Sequence, residues 1–315
     1  MPNIQFMQSF PEYISGANVI LKRFCGPVLF LLLLVGCSQN EQNLELGAGD
    51  EEGYLLVGEI KWIDEANSLL KVAHEDIPGF MPAMTMDFGV SEGDSQNAEV
   101  GQRIKARMVR DEEGGFQLMR IWPLNEEDAS DFKKYNERLQ KQLRELPLGR
   151  YLGEGNESAD FALLDHRGNI VTSDDLRGKP LVMNFIFTRC PDANMCPLST
   201  SKMGQLQKLV IEADLPVNFV SVSMDPEFDS PGVLRRYAKA YSIEGDDFYF
   251  VTGPKPAILN LLRSYGVTAI EKVDTIMHSL ATMLIDQNGK ILMRSDKSAW
   301  EPEAFLEKLE SLPGT

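Results

Sequence analysis

The chemistry available to this 315-residue chain is concentrated in a few soft side chains: 4 cysteines, 3 histidines and 14 methionines. Two of the cysteines, Cys190 and Cys196, stand with five residues between them in Phe187-Thr188-Arg189-Cys190-Pro191-Asp192-Ala193-Asn194-Met195-Cys196-Pro197. An apolar run, residues 181–187, precedes this loop, and a helix is expected to begin near Pro197 because proline suits the first helical position. A cysteine at a helix N-terminus faces unpaired N–H groups that favour the thiolate, so both sulfurs are expected to be reactive. The competing assignment in an exported protein is an inert structural disulfide, yet a loop already bounded by strand and helix has little need of one. His278, in Asp274-Thr275-Ile276-Met277-His278-Ser279, is a lone imidazole ahead of a strand. Its place in the chain alone leaves both a structural and a ligand role open.

A second cluster is Met81-Pro82-Ala83-Met84-Thr85-Met86-Asp87-Phe88. On a strand, Met84, Met86 and Phe88 share one face, which sets two thioethers side by side. His74 precedes them by a turn-rich stretch able to fold it onto that face. One imidazole and two thioethers form a soft, neutral ligand set suited to Cu(I) or Ag(I), whereas zinc prefers thiolates and carboxylates. The same residues would also serve as the buried face of a strand, since methionine is a common gap-filler. The third histidine, His166, lies in the turn Asp165-His166-Arg167-Gly168-Asn169 and is expected to be solvent-exposed and unrelated to metal.

Five short alternating strands, at about 54–63, 69–73, 84–90, 103–110 and 116–122, are separated by turn residues and predict a small β-barrel. Residues 125–146 are rich in charged side chains, with Phe132, Tyr135, Leu139 and Leu143 at helical spacing, and predict a connecting helix. From Asp160 strands alternate with helices: strands at 181–187, 217–224 and 248–251, helices at 198–213, 231–241 and 256–265, a hairpin at 282–293 and a closing helix at 302–312. That alternation predicts an α/β layered domain.

Two resemblances sharpen these expectations. The stretch from Gly58 to Trp122, above all His74 with the Met81–Met86 segment, resembles the small periplasmic copper-binding subunit of copper and silver efflux systems, of the CusF type. The resemblance implies a five-stranded OB-like barrel that holds Cu(I) through His74, Met84 and Met86. The family's prototype carries a tryptophan three residues before the first ligand methionine, where it covers the metal by a cation–π contact. This chain has Met81 there, which supplies either a third thioether or a more open site. Secondly, Asp160-Phe161-x-Leu163, the cysteine loop, Ser223-Met224-Asp225-Pro226-Glu227, and His278 followed by Leu284-Ile285-Asp286-x-x-Gly289 resemble the Sco (SenC/PrrC) family over about residues 148–312. That likeness implies a thioredoxin-like fold and one copper, as Cu(I) or Cu(II), held by Cys190, Cys196 and His278, with Asp225 in support. The familiar loop has three residues between its cysteines; five here would alter the bite and the redox potential.

The amino terminus carries Lys22 and Arg23, the apolar run 28–35, and Leu34-Val35-Gly36-Cys37, which resembles a bacterial lipobox. Cys37 is the expected lipidation site and Cys25 would be lost with the leader. The domain reading is therefore a lipoprotein signal peptide at 1–36, an acidic tether at 37–52, a CusF-like copper-binding barrel at 53–124, a connecting helix at 125–147 and a Sco-like domain at 148–315. A balance of 31 Lys+Arg against 47 Asp+Glu, net −16, argues against nucleic acid as a partner. The expected function is that of an exported metallochaperone rather than an enzyme, lipid-anchored on the periplasmic side of the inner or outer membrane. It would supply copper to the cytochrome c oxidase subunit bearing the CuA centre, with the Met/His site feeding the Cys/Cys/His site. The alternatives are a periplasmic thiol–disulfide oxidoreductase, with Cys190 and Cys196 as its redox pair, and copper buffering or resistance without delivery.

Overall fold

Alternation of apolar and polar side chains turns one face of each early strand inward, and the inward set closes on itself. In the computed structural model, which describes residues 53–111, 114–124, 126–272 and 275–313, β1 (Tyr54–Asp64), β2 (Leu69–His74), β3 (Met84–Gly89), β4 (Arg103–Arg110) and β5 (Phe116–Pro123) form a closed barrel in the order β1-β2-β3-β5-β4. The leader, Cys25, Cys37 and the tether lie outside the described residues. Leu56, Ile60, Leu70, Val72, Phe88, Ile104 and Met108 fill the interior and are essentially inaccessible. Gly58 is required where β1 crosses β2, because a Cβ there would lie 2.7 Å from Val72 Cγ1 and 2.8 Å from the Ala73 carbonyl oxygen. A six-residue helix, α1 (Glu92–Asn97), follows β3, and its Ser91 cap accepts a hydrogen bond from the Asp94 amide.

The connecting helix α2 (Glu126–Glu145) is a brace. Tyr135 and Leu139 are buried, Arg138 donates to both Asp160 and Asp174, and the Tyr135 hydroxyl donates to Asp174. The α/β domain then adds β6 (Ala162–Asp165), β7 (Ile170–Thr172), β8 (Leu181–Ile186), α3 (Cys196–Glu212), β9 (Asn218–Ser223), α4 (Pro231–Ala240), β10 (Phe248–Thr252) and α5 (Lys255–Ser264). A short ribbon, β11 (Ala269–Glu271) with β12 (Ile276–His278), precedes β13 (Thr282–Ile285), β14 (Ile291–Ser295) and α6 (Pro302–Glu310). The sheet runs β14-β13-β8-β9-β10-β6-β7, with β8, β9 and β10 parallel. Every residue of β8 and β9 is buried, as expected for central parallel strands covered on both faces. Among the described residues no helix is long and apolar enough to cross a membrane.

The barrel docks onto this domain through α1, which lies on α4. Gly93 and Gly232 meet there: a Cβ on Gly93 would fall 2.5 Å from the Gly232 oxygen, and one on Gly232 would fall 2.1 Å from Asp94 Oδ1. Lys239 pairs with Glu92 at 2.7 Å, Arg235 donates to Asn97, and Asn97 donates to the His166 carbonyl at 3.0 Å. His166 is consequently buried, not exposed as the turn sequence suggested. Its ring stands edge-on to Phe250, the Phe250 amide donates to Nδ1 at 3.4 Å, and burial lowers its pKa to about 3.

Burial in the same seam pushes the Asp94 carboxyl up to about 6 from an ordinary 3.8, against the opposing pull of the Ser91 hydrogen bond and the Arg236 charge. The folded state therefore holds this proton more tightly than the unfolded chain. The cost of ionisation is absent below about pH 4, grows as pH rises and is complete above about 6. Asp94→Asn, neutral throughout, is expected to be more stable than the parent at pH 7.5, with the difference shrinking toward zero at pH 4; urea unfolding across that range checks it.

Candidate metal centres

The cysteine loop begins where β8 leaves the sheet. Phe187 extends the buried run, the Cys190 amide donates back to the Phe187 carbonyl at 3.3 Å, and α3 starts at Cys196 with proline next, as expected. Cys196 is fully buried and Cys190 is partly exposed; both are free thiols. The β11–β12 ribbon carries His278 to the same point. Its Nε2 lies 3.7 Å from Cys190 Sγ and 3.5 Å from Cys196 Sγ, and the three ligand atoms lie within 4.8 Å of one another. Separations of this size let one ion reach all three atoms at ordinary metal–nitrogen and metal–sulfur bond lengths of about 2.0–2.3 Å.

Two neighbours orient the imidazole. Nδ1 lies 3.0 Å from the Ser279 carbonyl and donates to it, which leaves the Nε2 lone pair facing the sulfurs. The Phe187 ring meets it edge-on at 5.2 Å. Burial lowers the His278 pKa, so the ring is neutral and able to ligate at neutral pH. Burial likewise pushes the Cys196 thiol far above its ordinary value. This corrects the expectation that both sulfurs are reactive: desolvation of a fully buried sulfur outweighs the helix N-terminus, and metal-free Cys196 is a protonated thiol at pH 7.

The turn between β9 and α4 anchors the loop. Asp225 accepts from Arg189 Nε at 3.0 Å and Nη2 at 2.6 Å, while the Arg189 guanidinium lies 4.3 Å from the Phe228 ring. Asp225 thus holds the residue before Cys190. The fully buried Asp229 takes the Thr188 amide at 3.1 Å, the Thr188 hydroxyl and the Ser223 hydroxyl at 2.6 Å. Asp229, Thr188 and Arg189 were missed from sequence; an acidic residue directly before Ser230-Pro231, the start of a helix, was the available signal. Asp229→Asn offers one acceptor oxygen fewer and sets an amide donor against Thr188. An unsatisfied buried donor costs about 1–3 kcal/mol, so copper affinity at Cys190/Cys196/His278 should fall roughly tenfold in a Cu(I) competition titration, with the barrel unaffected.

In the barrel, β2 and β3 pair so that His74 stands directly opposite Met84, and Val72 opposite Met86. His74 is 3% exposed, Met84 is 48% exposed and Met86 is partly buried. The His74 Nδ1 donates to the Glu75 carbonyl at 2.7 Å, the same device as at His278. Nε2 is left buried with no hydrogen-bond partner. A buried polar atom without a partner is costly, and a soft metal held between it and the two thioethers would satisfy it. Met81 is folded back by reciprocal backbone bonds with Ile77 and packs against the barrel core. Phe80 beside it stacks on Tyr54 at 4.0 Å and stands edge-on to Phe116, while the ring that meets His74 is Phe88, edge-on at 6.1 Å.

With both clusters described, comparison with known proteins places the chain. Residues 150–313 match the SCO1/SenC family and residues 53–123 match the copper-binding periplasmic protein CusF. The chain belongs to the SCO1/SenC family and carries a CusF-type barrel ahead of the thioredoxin-like Sco domain. The SCO1 protein homolog of Bacillus subtilis is 30% identical over 140 residues, 43% of this chain and 72% of that protein. The mitochondrial SCO2 homolog of Homo sapiens is 35% identical over 162 residues, 49% of this chain and 58% of that protein. Among solved structures, a SCO1/SenC family lipoprotein from Bacillus anthracis is 28% identical, covers 50% of this chain and 95% of its own, and has a TM-score of 0.46.

Proposed function

We propose that this chain is an exported copper chaperone that binds Cu(I) at His74, Met84 and Met86, binds Cu(I) or Cu(II) at Cys190, Cys196 and His278, and supplies copper to the CuA centre of cytochrome c oxidase. The observation that carries the reading is the convergence of two sulfurs and one oriented imidazole, 3.5 and 3.7 Å apart, at the partly exposed end of β8. Thiolate suits Cu(I), imidazole makes Cu(II) tolerable, and three ligands leave a position free for handover. Neutral thioethers hold Cu(I) less tightly than thiolates, so transfer from barrel to cysteine loop runs downhill. Delivery to CuA follows from the Sco likeness, and lipidation at Cys37 would hold the protein on the periplasmic side of a membrane. The loop also lacks the Cys-x-x-Cys spacing of thiol–disulfide enzymes, which disfavours that alternative.

Copper must displace the Cys196 proton. Affinity at the cysteine site should therefore rise by about tenfold per pH unit for that proton, whereas the thioethers of the barrel carry no proton to displace. Competition titrations at pH 7 and 8 check the widening ratio. For the role itself, a deletion strain grown under copper limitation should lose oxidase activity and regain it on copper addition. Unchanged oxidase with sensitivity to excess copper would instead indicate buffering. Disulfide turnover by metal-free protein, undiminished in His278→Ala, would indicate an enzyme.

A further inference from the structure

The barrel is joined to the Sco domain through the end that carries no metal ligands. His74 closes β2 and Met84 opens β3. The docking helix α1 follows the opposite end of β3, beyond Gly89, about 16 Å of strand away at 3.3 Å per residue. β5 runs parallel to β3, and Ile121 and Pro123 near its carboxyl end line the seam with Pro231 and Gly232 of α4. The cysteine loop lies on the far side of that seam. Asp229, just ahead of α4, holds Thr188, and Phe228 contacts both Arg189 of the loop and Arg120 of β5, the latter at 5.1 Å. The barrel is thus seated against the segment that anchors the cysteines, with its His74/Met84 mouth turned the other way.

The seam is a fitted one. The Gly93–Gly232 contact admits no side chain, Asp94 is buried in it, Lys239 and Arg235 of α4 hold the two ends of α1, and the space left is a cavity of about 20 Å³, room for about one water. Ligand exchange between the sites requires donors from both to reach one ion at bond lengths of about 2.0–2.3 Å. The docked arrangement keeps them apart.

We infer that the docked barrel cannot pass copper to the cysteine site of its own chain, and that transfer within a chain requires α1 to leave α4. The inference rests on the copper assignments proposed above. In the step itself copper stays Cu(I): its bonds to His74 Nε2 and the Met84 and Met86 sulfurs break, bonds to Cys190 Sγ, Cys196 Sγ and His278 Nε2 form, and the protons of the two thiols go to solvent.

The test uses the full chain with Cys190 and Cys196 oxidised to a disulfide and one Cu(I) loaded in the barrel. Reduction by saturating phosphine starts transfer, followed as thiolate-to-copper absorbance. Two variants open the seam by different means: Gly232→Ala inserts a methyl against Asp94, and Lys239→Glu, at the other end of α4, sets two carboxylates against each other. Both are expected to enlarge the radius of gyration in X-ray scattering and to raise the first-order transfer rate at least tenfold over the parent. Parent and variants transferring at one rate while scattering reports a released barrel would overturn the inference, and so would a first-order rate raised tenfold in a variant whose barrel stays docked. A failure of the underlying assignments reads differently: no thiolate-to-copper absorbance would develop in any chain, or it would persist in Cys196→Ser.

Discussion

Anaerobic Cu(I) titration of Cys196→Ala is expected to end at one equivalent per chain where the parent takes two. Cys196 is the fully buried member of its site, fixed by the first turn of α3, and its Sγ lies 3.5 Å from His278 Nε2. Alanine leaves only the partly exposed Cys190 and the imidazole. Loss of an outer-sphere partner already costs 10- to 100-fold in metal affinity, and loss of a thiolate ligand should exceed that, to on the order of 1,000-fold or more. The folded domain should tolerate the change, because a small buried thiol becomes a small buried methyl. The surviving equivalent should be that of the barrel, which has a core of its own against which Met86 packs. It should keep the parent's affinity.

His74→Phe is the complementary case, and its signature is an uncoupling of binding from stability. The imidazole stands in the barrel wall with Nε2 buried and unpartnered, so the metal-free protein already bears a cost that phenylalanine removes. The bond lost is the one from Nδ1 to the Glu75 carbonyl, and Glu75 is exposed, so water can replace it. These two effects are each about 1 kcal/mol and oppose one another. Thermal unfolding of metal-free His74→Phe should match the parent closely. Cu(I) should then raise the parent's melting temperature through its barrel site, by linkage, and fail to do so in a chain combining His74→Phe with Cys196→Ala. A large loss of metal-free stability would mean that His74 is a core residue and nothing more.

Much of the architecture was legible because strand alternation and turn residues are local signals. The barrel strands were placed within about a residue of their observed ends, and the pairing of β2 with β3 follows from the short turn-rich link that joins them. What escaped has physical reasons. Glu92-Gly-Asp-Ser-Gln-Asn97 has no apolar stripe and reads as loop; it is helical because Ser91 caps it and α4 receives it. The β11–β12 ribbon that presents His278 consists of two three-residue strands, too short for periodicity to register. His166 was misread because a neighbouring domain covers its turn, a contact no local pattern encodes. Cys196 was misread as a reactive thiol because its helix position is visible in sequence and its burial is not. The residues proposed as ligands stand out in sequence by type, and Asp225 by resemblance, while the bonds through which Asp225 and Asp229 hold the loop come only from the fold.

Burial at the cysteine site also sets its order of events. Metal-free, it holds a neutral imidazole and, in Cys196, a protonated thiol, so the site is poised to exchange a proton for copper. The barrel, by contrast, presents neutral donors beside an exposed methionine. On the proposed assignments, one chain combines a site built on thioethers with a proton-coupled site held by an anchored loop. The seam between α1 and α4 lies between them.

The most direct test of the central claim is copper X-ray absorption on the reduced, fully loaded chain, compared with Cys196→Ala and with His74→Phe. Two copper ions per chain are expected. In the parent, sulfur should dominate the first shell, with imidazole at both sites. In Cys196→Ala the remaining copper should show one imidazole and longer thioether-type sulfur bonds, and in His74→Phe only the shorter thiolate bonds with one imidazole. A single copper per chain, or a shell of nitrogen and oxygen that neither substitution changes, would contradict the account.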